Sequence, residues 1–133
     1  MGEWQPSREG LGFVVRALKS HKRVVEFTEV SRNVFLVRRV GNPPIRVMVI
    51  DLYTVGYADV IEALSMDEDI KCLVTLSNWN GYTKEAKEYA KSMSIGLFKF
   101  SEFMGAIWKR DFWNYVAPDS ISSNTQNRDV SGR

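Results

Sequence analysis

Leu11, Val14, Val15 and Leu18 recur at i, i+3, i+4 and i+7, which puts four apolar side chains on one stripe of a helix and predicts one over residues 9–20. Ser7 is placed to cap its start, although Gly10 and Gly12 weaken the first turn. His21-Lys22-Arg23 then form a basic end that suits the negative pole of the helix dipole.

The period next shortens to that of extended chain. Residues 24–30 (VVEFTEV) are rich in β-branched side chains, with Val25, Phe27 and Glu29 on one side. Residues 33–40 (NVFLVRRV) and 45–53 (IRVMVIDLY) predict two further strands, separated by Gly41-Asn42-Pro43-Pro44, which reads as a hairpin loop. A helical period returns with Tyr57, Val60, Ile61 and Leu64 and stops at the acidic run Asp67-Glu68-Asp69. Residues 70–76 (IKCLVTL) are nearly continuous in apolar character, as in a strand covered on both faces.

Residues 77–82 (SNWNGY) read as a loop, and Thr83 as the cap of a helix carrying Ala86, Tyr89, Ala90 and Met93 on one face. Residues 95–100 give a short strand. Ser101 would cap a last helix bearing Phe103, Met104, Ile107 and Trp108. The order α-β-β-β-α-β-α-β-α predicts one α/β domain with a mixed central sheet flanked by helices on both sides. That domain spans residues 8–117, after a polar lead over 1–7 and before a flexible polar tail over 118–133.

Composition narrows the chemistry more than the fold. A chain of 133 residues suits one domain, and four Trp and seven Phe can fill its core. The net charge of +2 neither demands nor excludes a polyanionic partner. With one Cys and one His, the usual zinc spacings are ruled out. Cys72 lies in an apolar run and reads as a buried thiol rather than a nucleophile; His21, between Ser20 and Lys22, reads as a surface residue. Neither a Gly-x-Gly-x-x-Gly fingerprint nor a Walker A loop is present. No apolar leader follows the polar start, and no stretch approaches the ~20 residues that span a bilayer, so the expectation is a cytoplasmic protein.

One segment carries a family likeness. Leu73-Val74-Thr75-Leu76-Ser77, then Thr83-Lys84-Glu85-Ala86 through Ala90, then Ile95-Gly96-Leu97 and Phe103 to Ile107 resemble the end of the Mrr-type restriction endonuclease domain. With the preceding elements in the same order, the resemblance extends over about residues 8–110 and implies the restriction-endonuclease-like, PD-(D/E)XK fold. That family needs an Asp on the second strand and (D/E)-x-Lys on the third, where the carboxylates hold Mg²⁺ and the Lys orients water. Residues two apart on a strand point the same way, so acid and lysine face the metal together.

Here the third strand offers Asp51, but Tyr53 stands at the lysine position, and Val34-Phe35-Leu36-Val37 supplies no Asp. Glu9, Glu26 and Glu29 are candidate relocated carboxylates, with Lys71 or Arg46 as a relocated cation. The resemblance thus implies a degenerate site, with no cofactor expected and Mg²⁺ at Asp51 only in an active enzyme.

Binding residues are suggested by charge and aromaticity. Arg32, Arg38, Arg39 and Arg46 flank the hairpin, with Lys19, Lys22 and Arg23 upstream, and grouped together they would contact phosphates of DNA or another nucleic acid. Trp79 and Tyr82 are candidates for stacking on a base. Trp108, Phe112 and Trp113 would make an adhesive surface for a homodimer or a larger protein partner. The leading expectation is a non-catalytic nuclease-fold protein, acting as a nucleic-acid-binding module or as an accessory subunit in DNA processing or defence. Its alternatives are a divergent metal-dependent endonuclease using Asp51, and a structural homodimer without nucleic-acid binding.

Overall fold

A computed structural model describes residues 4–77 and 80–118 of the chain. Helix α1 (Arg8–Ser20) starts where the Ser7 hydroxyl accepts the Gly10 N–H at 3.0 Å, and it buries Val14 and Leu18. Gly10 has a packing role as well: a Cβ there would stand 3.0 Å from Leu76 Cδ1, so the first turn lies close against the chain beyond residue 75.

Three antiparallel strands follow, β1 (Val24–Ser31), β2 (Val34–Arg39) and β3 (Asn42–Ile50). β1 carries register shifts between Val24 and Glu26 and between Glu29 and Ser31. The first shift breaks the simple alternation, so Val24 and Phe27 pack on the core while Val25 is 60% exposed. The expected pairing of Val25 with Phe27 on one side is therefore corrected.

The hairpin between β2 and β3 is tighter than its sequence suggests. Arg39 pairs with Asn42, leaving Val40 and Gly41 to turn the chain, with Gly41 at φ +74°. Pro43 and Pro44 belong to β3. They are tolerated because the next neighbour of β3 begins to pair only at Val47.

Beyond β3 come β4 (Thr54–Val55), α2 (Tyr57–Met66), β5 (Cys72–Thr75), β6 (Gly81–Tyr82), α3 (Lys84–Ser92), β7 (Gly96–Lys99) and α4 (Phe100–Ala106), then a 3-10 turn at Phe112–Asn114. β5 pairs in parallel with β3 and β7, giving a five-stranded mixed sheet ordered β1-β2-β3-β5-β7. β4 and β6 form a separate parallel pair, where the sequence pattern assigns no element to residues 54–55 and a loop to residues 77–82. The predicted order of helices and long strands is otherwise reproduced.

Each sheet face has its own core. Phe35, Val37, Val47, Val49, Cys72 and Phe98 face α1 and α4. Val34, Met48, Ile50, Leu73 and Leu97 face α2 and α3, where Val60, Ala63, Ala86 and Ala90 close the contact. Trp4 is buried in this second core, so the domain reaches back into the segment read as a polar lead. α4 is capped from within: the Glu102 carboxylate accepts the Lys99 N–H at 2.9 Å, and Ser101, expected as the cap, lies inside the helix. No helix among the described residues is long and apolar enough to cross a membrane.

Candidate functional site

β3 ends at Ile50, and the Asp51 N–H donates to the Trp4 carbonyl at 2.8 Å. The buried Thr75 hydroxyl donates to the Leu52 carbonyl at 2.9 Å and accepts the Leu52 and Ser77 N–H groups, both at 3.3 Å. These bonds draw the chain out of the strand immediately after Asp51. Asp51 is exposed and Tyr53 is 62% exposed beyond the strand end, so the two-residue strand parity expected of them does not apply. At the start of β2, the buried Asn33 amide donates to the Val49 carbonyl at 3.0 Å, while the Asn33 carbonyl accepts the Val49 N–H at 2.8 Å.

Four of the candidate relocated groups, Glu26, Glu29, Lys71 and Arg46, lie away from Asp51. Glu26 pairs with Arg38 at 3.0 Å on β1, two strand spacings, or roughly 10 Å, from β3. Glu29 is exposed on that same outer strand, whereas Glu9 is exposed in the first turn of α1, which packs on Leu76 at the Asp51 end of the sheet. Lys71 precedes β5 and Arg46 lies near the start of β3, both at the end of the sheet away from Asp51. Among the described residues no three His, Cys, Asp or Glu side chains converge to hold a metal ion.

The arginine patch expected around the hairpin is also dispersed, for two reasons. Strand alternation sends Arg38 to one face and Arg39 to the other. Arg39 is only 6% exposed: its Nε donates to the Pro43 carbonyl at 2.7 Å, and its Nη1 to those of Ile107 at 3.1 Å and Lys109 at 2.6 Å. Its guanidinium stands 5.5 Å over the Phe112 ring, while burial and then the Arg110 charge draw its pKa down. Arg46 is held by Asp67, Nη2 to Oδ2 at 2.8 Å and Nε to Oδ2 at 3.1 Å. Arg32 remains exposed.

Tyr82 is corrected from an open stacking ring to an internal donor. Its hydroxyl bonds both oxygens of the buried Glu102, at 2.8 and 3.0 Å, and burial together with that carboxylate pushes its pKa up. The Lys87 ammonium lies 4.1 Å from the Phe98 ring centre and 5.1 Å from that of Tyr82, donating to the Leu97 carbonyl at 2.6 Å. Burial lowers its pKa to about 8. Burial likewise raises the pKa of Cys72, whose thiol is fully enclosed. Trp79 lies outside the described residues.

A different basic and aromatic surface does form where the end of α1 meets the end of α4. Arg23 stacks 4.7 Å over Trp108, which is 48% exposed. The His21 ring packs 6.0 Å from the same indole, with Nδ1 accepting the Arg23 N–H at 3.0 Å. Nε2 stands 2.8 Å from the Met104 carbonyl, to which it donates, so His21 links the two elements. Lys22 and Lys109 are exposed beside this stack. The pairing of Arg23 with Trp108 was invisible in the sequence, since 85 positions separate them. Phe112, expected on an adhesive surface, is buried in the core, and Trp113 is half-buried against it at 5.2 Å.

No family model, curated protein or solved structure matches this chain.

Proposed function

We propose that the chain is a restriction-endonuclease-like protein without a hydrolytic centre, acting as a nucleic-acid-binding module or accessory subunit in DNA processing or defence. The chain path supports the fold assignment: an antiparallel meander, then parallel strands added through helices, with helices on both faces. The observation that carries the functional reading is what stands at the two family positions beside Asp51. The residue two positions on is an exposed Tyr53, and the buried polar group at the start of β2 is the Asn33 amide rather than an acid. An amide that donates to a backbone carbonyl lacks the charge that would hold a divalent cation. Binding is assigned to Lys22, Arg23, Trp108 and Lys109, where cations flank an exposed indole.

The test uses the full chain with supercoiled, single-stranded and branched DNA, each with Mg²⁺ or Mn²⁺, beside Asp51→Ala. The expected result is binding without cleavage, with affinity falling steeply as salt rises. Lys22→Ala/Lys109→Ala should flatten the log–log salt dependence by roughly 1–2, about one contact per lysine. Metal-dependent cleavage abolished by Asp51→Ala overturns the reading in favour of a divergent endonuclease. Failure to bind at low salt, with a dimer that Trp113→Ala disrupts, overturns it in favour of a structural homodimer.

A further inference from the structure

At the end of the sheet opposite Asp51, a cleft of about 400 Å³ opens between the β2–β3 hairpin, the starts of β5 and β7, and the segment after α4. Its volume lies within the range of roughly 300–1,000 Å³ usual for small-molecule sites. Arg39, Lys71 and Arg110 line it, with Asp111 as the one carboxylate among the lining residues. Among the described residues none of the three cations has an ion pair within 4.0 Å. Arg39 is nine-tenths buried, and with Nε and Nη1 engaged, its Nη2 has no acceptor among the described residues. The bonded carbonyls fix the guanidinium plane before any ligand arrives.

Apart from Ser94 the remaining walls are apolar and include Met93 and Trp113. Trp113 is half-buried and is held edge-on against Phe112, with 84° between the rings. Ser94 adds a hydroxyl-bearing residue at φ +58°, a left-handed position after α3 that glycine would occupy with less strain. A neutral apolar ligand would leave the cations without a counter-charge, and a bare anion would leave the aromatic wall uncovered.

The geometry points to a binding site in this cleft for a nucleoside 5′-phosphate, either free or as the phosphorylated end of a strand. Arg39, Arg110 and Lys71 receive the phosphomonoester, which carries about −1.5 to −2 charges at neutral pH. Trp113 and Met93 cover the base. The site needs no contact along a strand, so it stands independently of the interface assigned to Lys22, Arg23, Trp108 and Lys109.

Calorimetric titration of the full chain with AMP, adenosine and inorganic phosphate tests it, beside titration with one oligonucleotide carrying either a 5′-phosphate or a 5′-hydroxyl. AMP should bind at least tenfold more tightly than adenosine or phosphate. Lys71→Ala/Arg110→Ala, which alters two exposed side chains, should weaken AMP at least tenfold, and Asp111→Asn should strengthen it severalfold. A preference for the 5′-phosphorylated oligonucleotide assigns the strand end as ligand; AMP binding without that preference assigns the free nucleotide. Adenosine or phosphate binding as tightly as AMP overturns the proposal, as does AMP affinity unchanged in the double variant. Absence of AMP binding at millimolar concentration also overturns it. Lys22→Ala/Lys109→Ala should leave AMP affinity unchanged, which separates this site's failure from that of the strand-binding surface.

Discussion

The two ends of the central sheet hold their charges in opposite ways. At the exit of β3, Asp51 projects from a chain fixed by backbone bonds to Trp4 and by the Thr75 hydroxyl. None of those bonds engages its carboxylate. At the β2–β3 hairpin, Arg39 is bonded to three carbonyls, one in its own hairpin and two at the end of α4, so the cation is itself a piece of the framework. The exposed acid can be altered without disturbing the fold. The buried arginine cannot, and the site chemistry at its end is tied to stability.

The sharpest test of that contrast is a pair of substitutions. Arg39→Met orphans three carbonyls and should lower the unfolding free energy by about 3 kcal/mol, whereas Asp51→Asn should stay within about 0.5 kcal/mol, both read by urea denaturation. Similar losses in the two variants would erase the distinction.

A second test moves to Lys87, a half-buried cation bonded to a single carbonyl. Its pKa is about 8 in the folded chain against about 10.4 when unfolded, so between those values the unfolded state binds more protons and stability rises with pH. Cys72 and Tyr82, whose pKa values are raised by folding, act in the opposite direction as pH climbs through their unfolded ranges. The stability of the wild type minus that of Lys87→Met removes most of this background. That difference should grow by on the order of 2 kcal/mol from pH 8 to 10.5, and a flat profile would mean that Lys87 is effectively solvated. The smallest effect belongs to Ser94→Gly, expected to raise stability by roughly 0.5–1 kcal/mol in thermal unfolding by relieving the left-handed backbone.

What the sequence conveyed was whatever local period encodes. The α1 stripe, the Ser7 and Thr83 caps and the order of long strands follow from spacing alone. The inward direction of Arg39 was missed when it was grouped with its neighbouring arginines, although it continues the parity of the buried Phe35 and Val37. Partnerships across the fold were not legible. Arg46 meets Asp67, Arg23 meets Trp108 and Tyr82 meets Glu102 only after distant elements dock. Those meetings decide which charges face solvent, so the arginine patch inferred from neighbouring residues dissolved while another formed elsewhere. The short β4–β6 pair escaped notice because two residues are too few to display a period.

The irregular register of β1 bears on how this chain behaves in a crowd. β1 is an outer strand of the sheet, a position from which a regular ladder can recruit a stranger's backbone. Two slips within eight residues, with Glu26 and Glu29 exposed along the strand, deny an incoming strand an unbroken run of matched donors and acceptors. The same slips and charges disfavour edge-to-edge pairing between copies of the folded chain.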